Sequence, residues 1–313
     1  MEKFKILLTD GLDQAGKDLL AAEHEFYDRK NITAEEVLTE IGDYDAVIVR
    51  GRTKITRQVI EAGKKLKVIG RCGVGVDNID LEAAKAHGVA VVNAPVATTT
   101  SVAELTMGLI FALAREIPRA DAGIKKGEWL KKSLIGMELS GKTLGIVGYG
   151  RIGAMVGKLA AATGMRINAY DPILKPETTF VDGGEILPLE EVLSNSDFIT
   201  IHTPLIESTN HMINAHTLAS MKDGVRIVCA ARGGIIDESA LLDALNSGKV
   251  AGAALDVFEV EPPVDFALLA HPKVIATPHI GGQTEDAQEQ ASVDIAGEVL
   301  AALRGEDLKW KVA

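Results

Sequence analysis

Cysteine is scarce: Cys72 and Cys229 are the only two in 313 residues, and they stand in no metal-ligand spacing. That excludes a disulfide framework and a cysteine-ligated metal. No metal site is expected, and two buried structural thiols in a reducing, cytoplasmic setting are. Positive charge is also short, with 33 Lys and Arg against 44 Asp and Glu and a net charge of −11. A chain of that charge is repelled as a whole by nucleic acid and by anionic membranes, so neither is expected as a partner. Long hydrophobic runs are missing too. The most apolar stretch, Leu105–Ala114, is too short to span a bilayer and ends at Arg115. No cleavable leader is expected, because Met1-Glu2-Lys3-Phe4 runs straight into the strand-like KILLTD.

What is present is an ordinary globular balance, 47% hydrophobic and 25% charged. The length suggests two domains on a prior of about 150 residues each. Over the first hundred residues, strand candidates at Lys5–Leu8, Ala46–Val49, Val68–Ile69 and Val89–Val92 alternate with helix candidates at Gln14–Ala22, Ala34–Ile41, Arg57–Ala62 and Leu81–His87. Such alternation with short connections implies a parallel sheet covered by helices on both faces.

The most informative stretch is Gly141–Asp171. Thr143–Val147 is apolar enough for a buried strand, Gly148-Tyr149-Gly150-Arg151-Ile152-Gly153 fits G-x-G-x-x-G, and Arg151–Thr163 has helical apolar spacing ended by Gly164. Glycine is needed at Gly148 for a tight turn, at Gly150 for close approach of a pyrophosphate, and at Gly153 for helix–strand packing. The helix N-terminus would then meet the phosphates. Asp171 closes the second strand where a carboxylate accepts hydrogen bonds from the adenosine ribose, which favours NAD over NADP. On local grounds a methyltransferase-type nucleotide pocket fits as well.

Other segments invite chemistry by position. Arg50-Gly51-Arg52-Thr53-Lys54 and Arg71-Cys72-Gly73-Val74-Gly75-Val76-Asp77-Asn78 each follow a strand, where open α/β sheets bind ligands. An arginine fork suits a carboxylate or phosphate, and the glycines can turn backbone N–H groups toward an anion. The plain alternative is solvated charge and a simple turn. Asn93–Ser101 reads as a crossing between domains. Ser101-Val102-Ala103-Glu104 fits a capping box, which predicts a helix start there and a following apolar run buried on all sides, including against another subunit. Later strands are expected at Phe198–His202, Arg226–Ala230, Ala251–Leu255 and Val274–Thr277, with polar residues at their ends. A long amphipathic helix, Glu285–Arg304, should bury Ala287, Ala291, Ile295, Val299 and Leu303 against the first domain. Of the seven histidines, spacing alone does not choose between His202 and His279.

Three further segments do: Ala231-Arg232-Gly233-Gly234-Ile235-Ile236-Asp237-Glu238, Ala254-Leu255-Asp256-Val257-Phe258-Glu259-Val260-Glu261-Pro262-Pro263, and Thr277-Pro278-His279-Ile280-Gly281-Gly282. With Gly70–Asn78, Asn93-Ala94-Pro95, Tyr170-Asp171-Pro172 and Ile201-His202-Thr203-Pro204-Leu205, they cover nearly the whole chain. Together they resemble the D-isomer-specific 2-hydroxyacid dehydrogenase family, and within it most closely the D-3-phosphoglycerate dehydrogenases.

The resemblance implies an α/β fold of two doubly wound parallel-sheet domains, a Rossmann NAD-binding domain inserted into a flavodoxin-like substrate domain. The expected division is 1–97 for substrate, 98–284 for NAD, and 285–313 as a C-terminal helix returning to the first domain. It implies a catalytic set of Arg232, Glu261 and His279: Arg232 holds the substrate carboxylate and polarises the C2 oxygen, His279 exchanges the C2 hydroxyl proton, and Glu261 supports the imidazolium. NAD contacts are expected from Gly148, Gly150, Arg151, Ile152, Gly153, Asp171, Pro172, His202, Thr203, Pro204, Ala230, Ala231, Asp256, Gly281 and Gly282. Asp256 either bridges to the nicotinamide carboxamide or caps its strand. Substrate contacts are expected from Arg50, Arg71, Gly73 and Val74, with Lys131 as a phosphate contact from a neighbouring subunit. The implied substrate is a small 2-hydroxy or 2-keto acid carrying phosphate, 3-phosphoglycerate first, in a homodimer or higher homo-oligomer. The alternatives are a glyoxylate or hydroxypyruvate reductase of the same family and a non-catalytic NAD-sensing interaction protein. Closure of the two domains about Asn93–Ser101 and Gly281–Glu285 is expected, because hydride transfer needs water excluded. Two departures from the family pattern, Cys229 in place of Asn and Ala97-Thr98 in place of Gly-Asn, bear on which hydroxyacid is used. Larger relatives carry a C-terminal regulatory domain; with the chain ending at Ala313, serine feedback through one is not expected.

Overall fold

A computed structural model describes residues 3–175 and 184–313; Met1 and Glu2, at the head of the sequence read above as leaderless, lie outside the described residues. The chain divides into two compact units, one formed by residues 1–98 and 282–313 and the other by 99–281. The second is thus an insertion in the sequence of the first, with divisions at 98/99 and 281/282 where 97/98 and 284/285 were expected.

The first unit runs β1 (Lys5–Leu8), α1 (Gln14–Glu23), β2 (Glu25–Asp28), α2 (Ala34–Glu40), β3 (Ala46–Val49), α3 (Arg57–Ala62), β4 (Val68–Arg71), α4 (Leu81–Ala86) and β5 (Ala90–Asn93). Its five strands lie in the order β2-β1-β3-β4-β5, and every pairing is parallel. That is the flavodoxin-like order. The inner strands β1, β3 and β4, with β5, are mostly apolar because both of their faces are covered. Leu7, Val47, Val49, Ile69 and Val91 pack on one face with Val37, Val59 and Ala83. Ile6, Leu8, Ala46, Ile48, Val68 and Val92 pack on the other with Leu20, Ile295 and Val299. Strand β2 escapes sequence reading because it is an edge strand, exposed or half-exposed at every residue, so no buried pattern marks it.

The second unit contains α5 (Thr99–Arg115), α6 (Ile117–Lys125), β6 (Thr143–Val147), α7 (Arg151–Ala162), β7 (Arg166–Tyr170), β8 (Glu185–Ile186), α8 (Leu189–Asn195), β9 (Phe198–Ile201), α9 (Ala215–Ser220), β10 (Val225–Cys229), α10 (Glu238–Ser247), β11 (Val250–Leu255) and β12 (Val274–Ala276). Its seven parallel strands have the order β12-β11-β10-β9-β6-β7-β8. Counted from β6, this is the Rossmann order with one further strand, and the direction of winding reverses between β6 and β9. Ligands of open α/β sheets bind at that reversal, beyond the strands' carboxyl ends.

Helix α5 corrects two expectations. It starts at Thr99, so Ser101 is a buried residue of the first turn and not its cap. Nor is the apolar run buried on all sides within the chain: Glu104, Gly108, Phe111 and Arg115 are exposed at helical spacing. The buried face beside it, with Ala103, Met107, Ile110 and Ala114, packs with Ile146, Val156 and Ala160. Helix α11 (Glu285–Arg304) belongs to the first unit and buries all five residues expected of it. Thr284 accepts from the Ala287 N–H at its start, and Gly305, at φ +73°, ends it. Among the described residues no helix is long and apolar enough to cross a membrane, and no group of three or more His, Cys, Asp or Glu could hold a metal ion.

Candidate active site

The glycine turn after β6 has the geometry that its sequence demands. Gly148 is at φ +94°, a conformation L side chains rarely adopt, and a Cβ there would lie 2.8 Å from the His202 carbonyl. A Cβ on Gly153 would lie 2.1 Å from the Gly148 carbonyl oxygen, so only glycine lets α7 begin so close to the strand. Gly150 is the N-cap of α7 and is exposed; a Cβ there would meet no described atom within 4 Å, and no described side chain caps the helix. The first turn is therefore left to meet an anion with its N–H groups. Arg151 is exposed at the head of α7, and Ile152 packs against the core beneath it.

Asp171 ends β7 and ties back to this turn. Its carboxylate accepts from the Tyr149 N–H at 3.0 Å and the Ile173 N–H at 3.0 Å. One lone pair on each oxygen remains for ribose hydroxyls. Pro172 beside it is exposed. Across the winding reversal, β9 delivers His202, Thr203 and Pro204. Burial holds the His202 imidazole down to about 4, so it is neutral at physiological pH. Its Nε2 faces Thr200 Oγ1 at 3.0 Å, which leaves Nδ1 facing away. The buried His202 Nδ1, Thr203 Oγ1 and Thr99 Oγ1 have no hydrogen-bond partner among the described residues. His202 and Thr203 lie against Gly148 at the sheet's winding reversal, and orphaned polar atoms there are what a site for a polar ligand leaves. The donor set fits a dinucleotide.

Strand β10 ends at Cys229 and leads through Ala230 and Ala231, both half-buried, to Arg232. Burial pushes the Cys229 thiol up to about 11, and its Sγ lies 3.8 Å from the Arg232 carbonyl oxygen. It is an inert thiol under the arginine. Strand β11 ends at Leu255, and Asp256 follows, 1% exposed. Its carboxylate accepts from Thr277 Oγ1 at 2.6 Å, the Ile280 N–H at 2.8 Å and the Gly281 N–H at 2.8 Å. These bonds straddle His279, which sits at φ +53°. A histidine in the left-handed region is uncommon and persists where its surroundings hold it. Here Asp256 does the holding.

His279 and Glu261 meet directly, Nδ1 to Oε2 at 2.7 Å, both side chains part-exposed. Burial by itself would raise the Glu261 carboxyl. The hydrogen bond and charge of His279, the Phe258 N–H at 3.1 Å and the Arg232 charge outweigh it, so the pKa lies below the ordinary carboxylate value. Glu261 is therefore ionised, Nδ1 carries the proton donated to it, and Nε2 is the open nitrogen. Arg232, Glu261 and His279 thus form one electrostatic group in the second unit. Gly281 is buried beside Asp256, and Gly282 is the first residue of the chain's return to the first unit.

In the first unit, Arg50 follows β3. Asp10 orders its loop, accepting from the Arg50 N–H at 2.7 Å, the Thr53 N–H at 3.2 Å and Thr53 Oγ1 at 2.6 Å. Asn78 Nδ2 donates to the carbonyls of Arg50 and Thr53. The Arg50 guanidinium contacts Gln288 Oε1 on α11, and its buried Nε has no partner among the described residues. Arg52 is no candidate for an anion. It donates to the carbonyls of Thr9, Lys30 and Ile32 and pairs with Asp10 at 2.9 Å. Arg71 ends β4 and folds over Gly73, where a Cβ would lie 1.6 Å from its Nη1. Asn93 Nδ2 holds the Val74 carbonyl at 2.7 Å. Asp10 was not singled out in the sequence, and Asn78 stood out only as the end of the Gly70–Asn78 motif. The signal was available in Asp10, an acid directly beyond an apolar strand at the ligand-binding edge of the sheet.

A parallel sheet of Rossmann order with this glycine turn is the arrangement of a dinucleotide-binding domain, and an arginine, a glutamate and a histidine lie on the loops beyond its strands. The chain belongs to the D-isomer-specific 2-hydroxyacid dehydrogenase family: the family's NAD-binding domain matches residues 107–281. It is 48% identical over 305 residues to D-3-phosphoglycerate dehydrogenase of Homo sapiens, covering 97% of this chain and 57% of that one. The chain spans about half the length of the curated relatives it matches in this way. It is 47% identical over 307 residues to hydroxypyruvate reductase of Thermotoga maritima, covering 97% of this chain and 99% of that one. Among solved structures, a glyoxylate reductase from Paecilomyes thermophila is 34% identical, with a TM-score of 0.91 over 100% of this chain and 99% of that one.

Proposed function

We propose that the protein is an NAD-dependent oxidoreductase of D-2-hydroxy acids, with 3-phosphoglycerate and 3-phosphohydroxypyruvate as the substrate pair. The observation that carries this reading is the 2.7 Å contact between His279 and Glu261 beside Arg232. When bound, NAD would supply the hydride acceptor for C2 of the hydroxy acid and, reduced, the hydride donor for the keto acid. Gly148, Gly150, Gly153 and the first turn of α7 would hold its pyrophosphate, and Asp171 would hold the adenosine ribose. His202, Thr203, Pro204, Ala230 and Ala231 form the rest of its cradle.

His279 takes the C2 hydroxyl proton on Nε2 as hydride leaves. Glu261, already ionised, stabilises the imidazolium so formed and fixes the tautomer. Arg232 binds the substrate carboxylate and stabilises charge on the C2 oxygen. Asp256 keeps the His279 turn in its left-handed conformation. Arg50, Arg71 and the backbone at Gly73 and Val74 are assigned the substrate's anionic groups, a role that rests on their charge and loop positions alone. The phosphorylated substrate is supported by identity to the phosphoglycerate dehydrogenases.

A second reading, hydroxypyruvate reduction, is favoured by the Thermotoga maritima relative, which this chain matches over nearly its full length. We also infer self-association through α5 and α6, and a reducing compartment from the two free buried cysteines.

NADH formation and consumption with 3-phosphoglycerate, 3-phosphohydroxypyruvate, hydroxypyruvate and glyoxylate decides between the readings. The phosphorylated pair should have the highest kcat/KM, and Arg50→Ala should raise its KM about tenfold or more while leaving that of hydroxypyruvate nearly unchanged. Preference for unphosphorylated acids, with Arg50→Ala silent, would replace the first reading by the second. No turnover of any of them beside tight NADH binding would overturn both.

A further inference from the structure

Two acidic residues without a role in the reading above lie between the loops that carry Arg232 and Glu261. We propose that Glu238 and Glu259 form a reciprocal clamp, completed by His211, that positions Arg232 and Glu261 against each other. The inference rests on the reading of Arg232, Glu261 and His279 as the reacting site.

The geometry is symmetrical. Glu238, the first residue of α10, accepts from the Glu259 N–H at 2.8 Å, and Glu259 accepts from the Glu238 N–H at 3.2 Å. Each carboxylate thereby holds the backbone of the other's loop. Two facing carboxylates repel, and the cost shows: burial first, then the charges of Glu259 and Asp265, raise the Glu238 carboxyl, against the opposing Glu259 N–H. His211 supplies the compensating group, with Nε2 3.1 Å from the same Glu259 oxygen that accepts from Glu238. The His211 backbone, at φ +46°, donates its N–H to the Gly234 carbonyl at 2.8 Å. The imidazole is thus anchored to the Arg232-Gly233-Gly234 turn.

The loops so clamped are in backbone contact, since a Cβ on Gly233 would lie 1.7 Å from the Phe258 carbonyl oxygen. Phe258 also donates its N–H to Glu261 at 3.1 Å. From Arg232 to Glu261 there is therefore an unbroken path of Gly233, Phe258 and the clamp. Stability does not explain the arrangement. The N-terminus of α10 already has its cap, Asp237, which accepts from the Ala240 N–H. His211 and Glu259 are 46% and 36% exposed, where a polar contact adds little to stability. A misplacement of about 1 Å at a reacting group, by contrast, can lower a rate about a hundredfold.

The test compares kcat, KM and NADH affinity by fluorescence for Glu238→Ala, Glu238→Gln, Glu259→Ala and the double alanine variant, with thermal unfolding as a check on folding. Glu238→Ala and Glu259→Ala should each lower kcat about tenfold or more, with the NADH Kd within about twofold of wild type. Glu238→Gln should recover most of the rate, because its amide oxygen accepts the same N–H. The double variant should be no worse than either single one, since the two act as a unit. Arg232→Ala, Glu261→Gln and His279→Ala are the controls. If they lose turnover while Glu238→Ala retains it, the clamp is wrong and the site stands; if they retain turnover, the site reading fails and the clamp with it. Loss of NADH binding in parallel with kcat in Glu238→Ala, or no recovery in Glu238→Gln, would also overturn the positioning role.

Discussion

His202 shows how one half-buried residue with a buried ring nitrogen sets a pH dependence for the whole unit. Its imidazole is neutral in the folded protein down to about pH 4, whereas in the unfolded chain it titrates at its ordinary value of 6.5. Below pH 6.5 the unfolded state binds a proton that the folded state refuses, so stability is full above that value and falls as pH drops toward 4. The shift corresponds to about 3 kcal/mol. Replacing His202 with Gln should flatten the slope of unfolding free energy between pH 6.5 and 4 by roughly that amount, measured by urea denaturation at several pH values. An unchanged slope would refute the burial of a neutral ring. Glu261 has the opposite chemical character but the same sign of linkage: its lowered pKa favours the folded state above the ordinary carboxylate range, and that contribution fades as pH falls through the folded value. At the same scale the sequence was legible in part. Arg232, Glu261 and His279 stood out through the family's motifs, whereas Asp10 and Asp256 revealed their roles only as hydrogen-bond acceptors of distant N–H groups. No sequence pattern records who accepts from whom.

At the scale of elements, the strand–turn–helix of β6 and α7 is the strictest case. Local sequence and tertiary demand agree there, because the residues that shape the turn are also those that let the helix approach the strand. Gly153→Ala would drive a methyl group to 2.1 Å from the Gly148 carbonyl oxygen. Backbone must move to relieve such a contact, and the turn is where NAD is proposed to bind. The substitution should weaken NADH binding about tenfold or more, read by fluorescence titration, with a smaller effect on the KM for the organic acid. Binding within twofold of wild type would place the pyrophosphate elsewhere. Helix α11 was legible from end to end because a single buried stripe, a threonine cap and a terminal glycine all lie in its own sequence. Helix α5 was not. Its apolar residues surround the helix, and only packing shows that Phe111 and Gly108 are on the exposed side.

That exposed side matters for the whole molecule. Phe111, Ile117, Ile124 and Trp129 are 42%, 51%, 58% and 79% exposed on consecutive parts of the second unit. These exposed apolar side chains are the basis for the self-association proposed through α5 and α6. Sedimentation velocity at micromolar concentration should find a homodimer, and Phe111→Asp together with Ile124→Asp should shift it toward monomer. A wild-type monomer at that concentration would end the proposal. The sequence by itself determined the alternation of strands and helices and the cofactor turn, and it singled out the side chains proposed to react, because each is written in local periodicity or in contiguous motifs. Tertiary structure alone decided the strand orders, the exposed face of α5, the loss of Arg52 to structural bonds, and the clamp and anchor around Arg232, Glu261 and His279. Those depend on contacts between residues far apart in the chain, and a contact is a property of the folded geometry rather than of either residue.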